Sequence, residues 1–213
     1  MCWNQHVSLN TFFFSSFVLI LIIYNNNYTQ YKIKELNNLW IYVFFFSFIS
    51  MQLIEFFIWR NINNKYNKVF SIAAVLLLIF QPIASLMILK QIELRNTLLT
   101  IYIICAIPYS IYQFNRKNIY STISKSGHLK WSFFNVNIFV LLSWLFFFTF
   151  SLFYEKKWIG VIFAFTLLLF ALINYINDDT VGSMWCWIVN TSMIYYAIYL
   201  LIYLPFKEKN KLC

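Results

Sequence analysis

The chain has 213 residues, of which 62% are hydrophobic, 23% aromatic and only 11% charged, and its formal net charge is +9. Soluble domains carry about 25% charged residues, so this composition excludes an ordinary water-soluble domain. The basic residues lie in short connections and a terminal tail beside apolar runs, which is typical of anchoring at a membrane surface and excludes a nucleic-acid-binding arm.

Seven apolar runs follow one another along the chain, and each approaches the roughly 20 residues that cross a hydrocarbon core. The runs are continuous rather than alternating, which favours helices over a barrel. The predicted fold is therefore all-α, a polytopic integral membrane helix bundle of about seven transmembrane helices in a single membrane domain, 1–213. The predicted helices are 8–24, 39–59, 69–89, 97–114, 132–154, 158–175 and 183–204, followed by a short basic tail, 205–213.

Further features of the sequence concern the number of the helices and their orientation. The fourth helix contains Pro108 and Gln113, so a six-helix bundle stays open. The first run lacks a small-residue cleavage pattern, and we expect it to be a retained anchor. Lys and Arg number seven on the side of the N-terminus and nine on the other, which predicts a cytosolic C-terminus. The sequon Asn27-Tyr28-Thr29 lies on that predicted cytosolic side and therefore conflicts with this orientation.

Glu55 is the single carboxylate well inside an apolar run. A charge at membrane depth is costly unless it is paired, neutralised or in contact with water, so such residues often mark functional sites. Gln52 lies one turn away on the same helical face, which we expect to point into the bundle. The pattern predicts a proton or cation site, or a carboxyl that holds a polar ligand. The structural alternative is a carboxyl that snorkels to the interface or pairs with Arg60.

Two prolines fall inside predicted helices. Pro82 removes one backbone donor and leaves the carbonyl of Leu78 without its helical partner, so we predict a kink. Gln81 could present its amide to a ligand at that broken turn, although a purely structural kink is the favoured interpretation. Pro108 predicts a second kink in the fourth helix.

The seventh run opens with the string 182–190, in which two indoles flank a thiol. Ser183, Cys186 and Asn190 follow at about one-turn intervals, so a helix would place them along one face. The alternative is an aromatic belt with a helix cap and small residues at a helix crossing. The five candidate ligand-binding residues of the whole chain are Gln52, Glu55, Gln81, Ser183 and Asn190.

The inventory of reactive residues disfavours catalysis. The only two histidines, His6 and His128, lie outside the predicted helices, so a zinc hydrolase or an intramembrane serine hydrolase would lack its ligands or its base. The four cysteines are scattered without paired spacing, which predicts neither disulfides nor a zinc site. Three glycines provide no phosphate-binding loop. We therefore predict no catalytic residue, no metal and no cofactor.

Three short strings can be compared with known families. They are Met51-Gln52 with Glu55, Gln81-Pro82, and Gly182-Ser183 with Trp185-Cys186. In these strings the chain resembles a group of small uncharacterised seven-span membrane proteins of giant DNA viruses and some microbes. The resemblance implies a seven-span membrane protein over the length of the chain and carries no activity with it.

Two classes of function remain. In the first, the five candidate residues form a polar site around Glu55 in a carrier, channel or binding protein for a small polar solute or a cation. In the second, the protein is a structural or interaction protein of the membrane, and its buried polar residues only form hydrogen bonds between helices, at about 1 kcal/mol each. An intramembrane lipid-modifying enzyme is a more distant third. The predicted partner is the lipid bilayer, nucleic acid is not expected, and the oligomeric state stays open.

Overall fold

The computed structural model of the chain describes residues 4–116, 119–134 and 137–209. It is an all-α helical membrane bundle, as the composition predicts. Within the described ranges, six helices are long and apolar enough to cross a membrane, and a further apolar helix of 17 residues is shorter. The helices are α1 (Gln5–Tyr28), α2 (Leu39–Arg60), α3 (Tyr66–Leu86), α4 (Ile92–Arg116), α5 (Ile138–Tyr154), α6 (Trp158–Tyr175), α7 (Val181–Val189), α8 (Ser192–Ile198) and α9 (Leu204–Lys209).

The last three helices and a π-helical turn, Tyr199–Tyr203, together form one span. This seventh span was predicted as a single helix, 183–204, but it is interrupted after Val189. The predicted basic tail, 205–213, begins inside α9, and its last four residues lie outside the described part of the chain.

Asparagine side chains determine where three helices begin. The Asn4 side chain accepts hydrogen bonds from two backbone N–H groups, at 2.9 and 3.0 Å, so α1 begins three residues before the predicted start. Asn38 and Asn137 each accept from the second residue of α2 and α5, respectively. Such caps satisfy N–H groups that have no partner within the helix. The other ends move too: α3 is Tyr66–Leu86 rather than 69–89, and α4 is Ile92–Arg116 rather than 97–114.

Successive connections lie on opposite faces of the bundle. We call N-face the side that holds Asn4 and the segments 61–65, 119–134 and 176–180. We call C-face the side that holds the segments 29–38, 87–91 and 155–157. Contacts between connections agree with this division. On the C-face, Lys157 Nζ donates to the backbone oxygen of Glu35 at 2.8 Å. On the N-face, Lys130 Nζ lies 2.6 Å from the Asp179 carboxylate.

A two-stranded hairpin covers part of the N-face. Its strands are β1 (Ser121–Ile123) and β2 (Leu129–Trp131), which pair antiparallel. Gly127 in the turn has a φ of 80°, which glycine adopts without strain. Asn67 of α3 holds the hairpin, because its amide donates to Ser121 O and accepts from Ser121 N, both at 2.9 Å.

The hairpin explains an error in the predicted fifth helix. That helix was expected to cover 132–154, whereas α5 begins at Ile138. Trp131, which directly precedes the predicted helix, is the strand partner of Ser121, and the hydroxyl of Ser132 donates to the backbone oxygen of Tyr120. These bonds hold the segment on the N-face, so the helix cannot start there.

The core lies around α2, with α1 and α3 packed along it and α5 packed along α3. Phe148 is almost completely buried at the centre, where its ring stacks on Trp144 with the centroids 4.7 Å apart. It also contacts the rings of Phe48 and Trp185, at 5.5 and 5.6 Å. By contrast, α4 lies at the edge of the bundle, and most of its side chains are exposed.

Both predicted kink positions, Pro82 and Pro108, lie inside helices that continue past them. The carbonyl of Leu78, which loses its helical donor to Pro82, accepts the indole N–H of Trp144 at 2.8 Å. The fifth span thus satisfies the group that the proline leaves without a partner. This contact gives Pro82 a structural role.

Candidate functional site

The candidate site is built on the buried face of α2. Gln52 and Glu55 are both completely buried, and Gln52 Nε2 donates to Glu55 Oε2 at 2.9 Å. The one-turn spacing of the two residues allows this bond within a single helix. The carboxyl of Glu55 therefore lies inside the protein and not at the interface with Arg60.

The facing element is α7, which runs antiparallel to α2. Asn190 Nδ2 donates to Cys186 O at 2.9 Å and makes a long contact of 3.5 Å with Phe48 O of α2. One turn nearer the N-face, the buried thiol of Cys186 has the Glu55 carboxyl as an electrostatic neighbour. The two helices thus place Gln52 and Glu55 beside Asn190 and Cys186 in a buried series that we call the polar ladder.

The seventh span changes its hydrogen-bond pattern at this ladder. The N–H groups of Asn190 and Thr191 donate to carbonyls three residues back, at 3.0 and 2.9 Å, instead of four residues back. The tightened turn removes the usual backbone donor from Cys186 O, and the Asn190 side chain replaces it. A short stretch of this kind inside a helix often marks a hinge or a functional site, and interrupted helices in carriers provide groups for ions and substrates.

Several amide groups near the ladder have no hydrogen-bond partner among the described residues. They are Gln52 Oε1, Asn190 Oδ1, and both the oxygen and the nitrogen of the Gln81 amide. All three side chains are buried. Because buried polar atoms are almost always satisfied, these amide atoms are the ones that a bound water molecule, ion or polar ligand would satisfy. Amide and carboxyl oxygens are ligands suited to a hard cation.

Gln81 lies deeper in the bundle than the carboxyl does. It comes fifteen residues after the first residue of α3, Tyr66, whereas Glu55 comes five residues before the last residue of α2, Arg60. The short connection 61–65 keeps the end of α2 level with the start of α3. Gln81 is therefore ten residues farther from the N-face than Glu55, which corresponds to about 15 Å along the bundle axis. Gln81 is therefore nearer to the level of Phe48 than to that of Glu55.

Ser183 has a different environment. Its hydroxyl donates to Leu129 O of the hairpin at 2.6 Å and contacts Thr180 O at 3.2 Å. It thus attaches the start of α7 to the N-face hairpin. Of the five candidates, the structure joins Gln52 to Glu55 and places Asn190 against α2. Ser183 bonds to the hairpin instead, and Gln81 lies on α3 at about the level of Phe48.

A large cavity opens on the C-face, with a volume of about 890 Å³. Its mouth is formed by the first connection, including Lys32 and Glu35, and by the fifth, including Lys156. Its walls are mainly apolar and aromatic, from α2, α5, α6 and the seventh span. Its wall aromatics are Phe44, Phe45, Phe48, Phe148, Trp158, Phe163, Trp185, Tyr195, Tyr196 and Tyr199.

The inner end of the cavity lies close to the polar ladder. Phe48, Phe148 and Trp185 form this inner end, where the Phe148 ring contacts the other two rings. The backbone oxygen of Phe48 is the atom that Asn190 approaches from the other side. Among the described residues, neither this cavity nor the groove described next is lined by any of the five candidates. The ladder is thus separated from the cavity by one aromatic layer.

A second, apolar groove of about 380 Å³ separates α4 from α3 and α5. Tyr102 bridges its wall by donating to Ile79 O at 2.8 Å. Near the N-face end, Gln113 Nε2 donates to the hydroxyl of Tyr109, also at 2.8 Å. The groove has few polar groups and lies beside the exposed helix α4.

His128 lies in the hairpin turn, on the N-face. Burial lowers the pKa of its imidazole below the ordinary value, and the carboxylate of Asp178 partly offsets this effect. The described part of the chain contains no group of three His, Cys, Asp or Glu side chains that could hold a metal ion.

Comparison with family models, with curated proteins and with solved structures finds no match to the chain. The resemblance to seven-span viral and microbial membrane proteins stays a prediction. The sequence interpretation did not identify the C-face cavity, because its walls come from helices distant in the chain. The lysines of the first and fifth connections are the part of the cavity that the sequence displays directly.

Proposed function

We propose that the protein is a membrane carrier or binding protein for a small solute or ion, with its polar site around Glu55. The observation that carries this proposal is that the C-face cavity ends one aromatic layer away from buried, unpartnered amide groups. A deep cavity open to one face and a buried polar site beside an interrupted helix are features of carriers that expose a site to one side at a time.

Different elements cover the two ends of the polar ladder. On the C-face side, the aromatic layer of Phe48, Phe148 and Trp185 separates the ladder from the cavity. On the N-face side, the hairpin lies over the ladder and is held by Ser183 and Asn67. Opening on the C-face requires only side chains to move, whereas opening on the N-face requires the hairpin to move. In the proposed carrier, this conformation would be the one that is closed on the N-face and accessible from the C-face up to the aromatic layer.

The test is the thermal stability of the purified protein in detergent against ions, amino acids, sugars, nucleosides and lipids, with Glu55→Gln alongside. A ligand that binds only the folded state stabilises it by about 2.7 kcal/mol at a hundredfold excess over its Kd. We expect at least one compound to stabilise the wild type and to lose that effect in Glu55→Gln. Glu93→Gln, at an exposed position of α4, is the matched control and should keep the effect.

The alternative is a structural membrane protein, and one contact favours it. Ser85 of α3 donates to Phe148 O and contacts the hydroxyl of Ser151, both at 2.6 Å, so this buried polar group serves only to join two helices. If no compound stabilises the wild type and Glu55→Gln is neutral or stabilising, the polar ladder has the same role and the carrier proposal fails.

A further inference from the structure

We infer that the C-face cavity binds an organic anion with an apolar or aromatic body, by its charged group at the lysine-lined mouth. This inference rests on the proposed function, because it names the class of solute that enters the cavity. It concerns side chains of the cavity and not those of the polar ladder.

The charge at the mouth is positive. Four lysines line it against two glutamates, and they are Lys32, Lys34, Lys156 and Lys157. Glu155 is already occupied, since it lies 3.9 Å from Lys90, which is outside the cavity, and accepts the backbone N–H of Lys90 at 2.8 Å. Among the described residues, none of the four lysines forms an ion pair with a carboxylate. These ammonium groups repel a cationic ligand and attract an anionic one.

One of the four cations is held in place. Lys157 is half-buried, and its ammonium group donates to Glu35 O at 2.8 Å, which uses one of its three donors. The neighbouring Lys156 has a positive φ of 55°, so the tight turn between α5 and α6 directs two successive side chains of like charge to the cavity mouth. A partly ordered cation loses less side-chain entropy on binding an anion than a free one does.

The walls determine the rest of the ligand. Below the lysines the cavity is enclosed by rings from α2, α5, α6 and the seventh span, with few polar groups. An inorganic anion would gain nothing from these walls and would lose its hydration inside them. A ligand with an anionic group joined to an apolar body suits both the lysines at the mouth and the apolar walls. Its anionic group would lie beside the lysines, and its apolar body would bind the walls by burial and ring contacts. The volume of about 890 Å³ lies within the range of small-molecule pockets.

The same chemistry has two sources, a soluble organic anion and an anionic membrane lipid. The experiment uses three probes with one ring system and different charge: naphthalenesulfonate, the neutral naphthalenesulfonamide and the cationic naphthylmethylammonium. Binding is measured by calorimetry to the full chain in nanodiscs of phosphatidylcholine. A second set of nanodiscs contains phosphatidylglycerol, and thermal stability is compared between the two sets.

We expect naphthalenesulfonate to bind more tightly than the other two probes. The double variant Lys156→Gln/Lys157→Gln should raise its Kd about tenfold, because two cations near one anion are lost. Lys68→Gln/Lys65→Gln, which removes two cations from the N-face, is the matched control and should leave the Kd unchanged. If phosphatidylglycerol weakens sulfonate binding and stabilises the wild type more than the Lys156→Gln/Lys157→Gln variant, the anion is supplied by lipid, and the inference stands in that form.

Two results would overturn the inference: equal binding of the neutral and the anionic probe, or equal loss in the C-face and N-face double variants. Its failure can be separated from that of the carrier proposal. A neutral or cationic compound whose effect depends on Glu55 would leave the carrier proposal standing without the anion. Lysine-dependent binding of the sulfonate, unchanged in Glu55→Gln, would leave the anion site standing without a role for the ladder.

Discussion

The bond between Trp144 and Leu78 can be tested by a double-mutant cycle, because the chemical reason for it is a single missing N–H at Pro82. In Trp144→Phe the carbonyl of Leu78 loses the indole donor that lies 2.8 Å away and keeps no helical donor. An unsatisfied buried group costs about 1–3 kcal/mol, and measured side-chain bonds within membranes lie at the lower end of that range. The substitution also loses part of the ring contact with Phe148.

Pro82→Ala restores the backbone donor to Leu78. In that background Trp144→Phe should lose only the ring contact, so the two substitutions should be coupled by about 1–2 kcal/mol, with the proline protein the more sensitive to loss of the indole. The assay is reversible unfolding in mixed detergent micelles, for the wild type, both single variants and the double variant.

The control cycle pairs Pro82→Ala with Trp158→Phe, an exposed indole at the start of α6, for which we expect additive effects. A coupling energy near zero in the Trp144 cycle would show that the indole does not compensate for the proline. The role assigned to Pro82 would then be wrong.

Two further predictions concern the hairpin on the N-face. Asn67→Ala removes both hydrogen bonds to Ser121 and should destabilise the hairpin by about 2 kcal/mol. The measurement is proteolysis, which should be faster at residues 124–128. Asn63→Ala, at an exposed neighbouring position, should be cleaved at the wild-type rate. Equal cleavage in the two variants would contradict the anchor. The folded-state pKa of His128 is lowered, so the unfolded chain binds the proton first as the pH falls. Stability should therefore decrease as the pH drops from the ordinary pKa of histidine to the lower folded-state pKa. His128→Gln should reduce the slope of stability against pH in this window. An unchanged slope in thermal unfolding against pH would refute it.

The sequence predicts the helical membrane fold because length and composition alone determine it. Six of the seven apolar runs become single helices, and the seventh is interrupted after Val189. Two of the errors in the helix starts occur where side chains cap or compete with the helix. Asn4 extends α1 by three residues, and the pairing of Trp131 with Ser121 shortens α5 by six. The string around Gly127 has only weak strand character, so nothing local distinguishes it from a loop.

The burial of Glu55 follows from the same reasoning, since a lone carboxylate in an apolar run has few places to go. Its bond to Gln52 also follows from helical spacing. The position of Gln81, about 15 Å from the level of Glu55, depends on how the connection 61–65 aligns α2 with α3. The C-face cavity depends on the order of the helices around the bundle, which short sequence patterns do not determine.

We propose that the cavity leads from the C-face to the aromatic layer beside the polar ladder, while the hairpin closes the N-face. We would measure labelling by a membrane-impermeant maleimide in vesicles of uniform orientation, with Val189→Cys on the cavity wall and Ala74→Cys in the buried cluster beneath the hairpin. Subtracting the labelling of the parent protein removes the contribution of exposed Cys105. We predict that Val189→Cys is labelled from the C-face only and that Ala74→Cys is labelled from neither face. Labelling of Val189→Cys from both faces, or equal labelling of the two positions, would contradict the account.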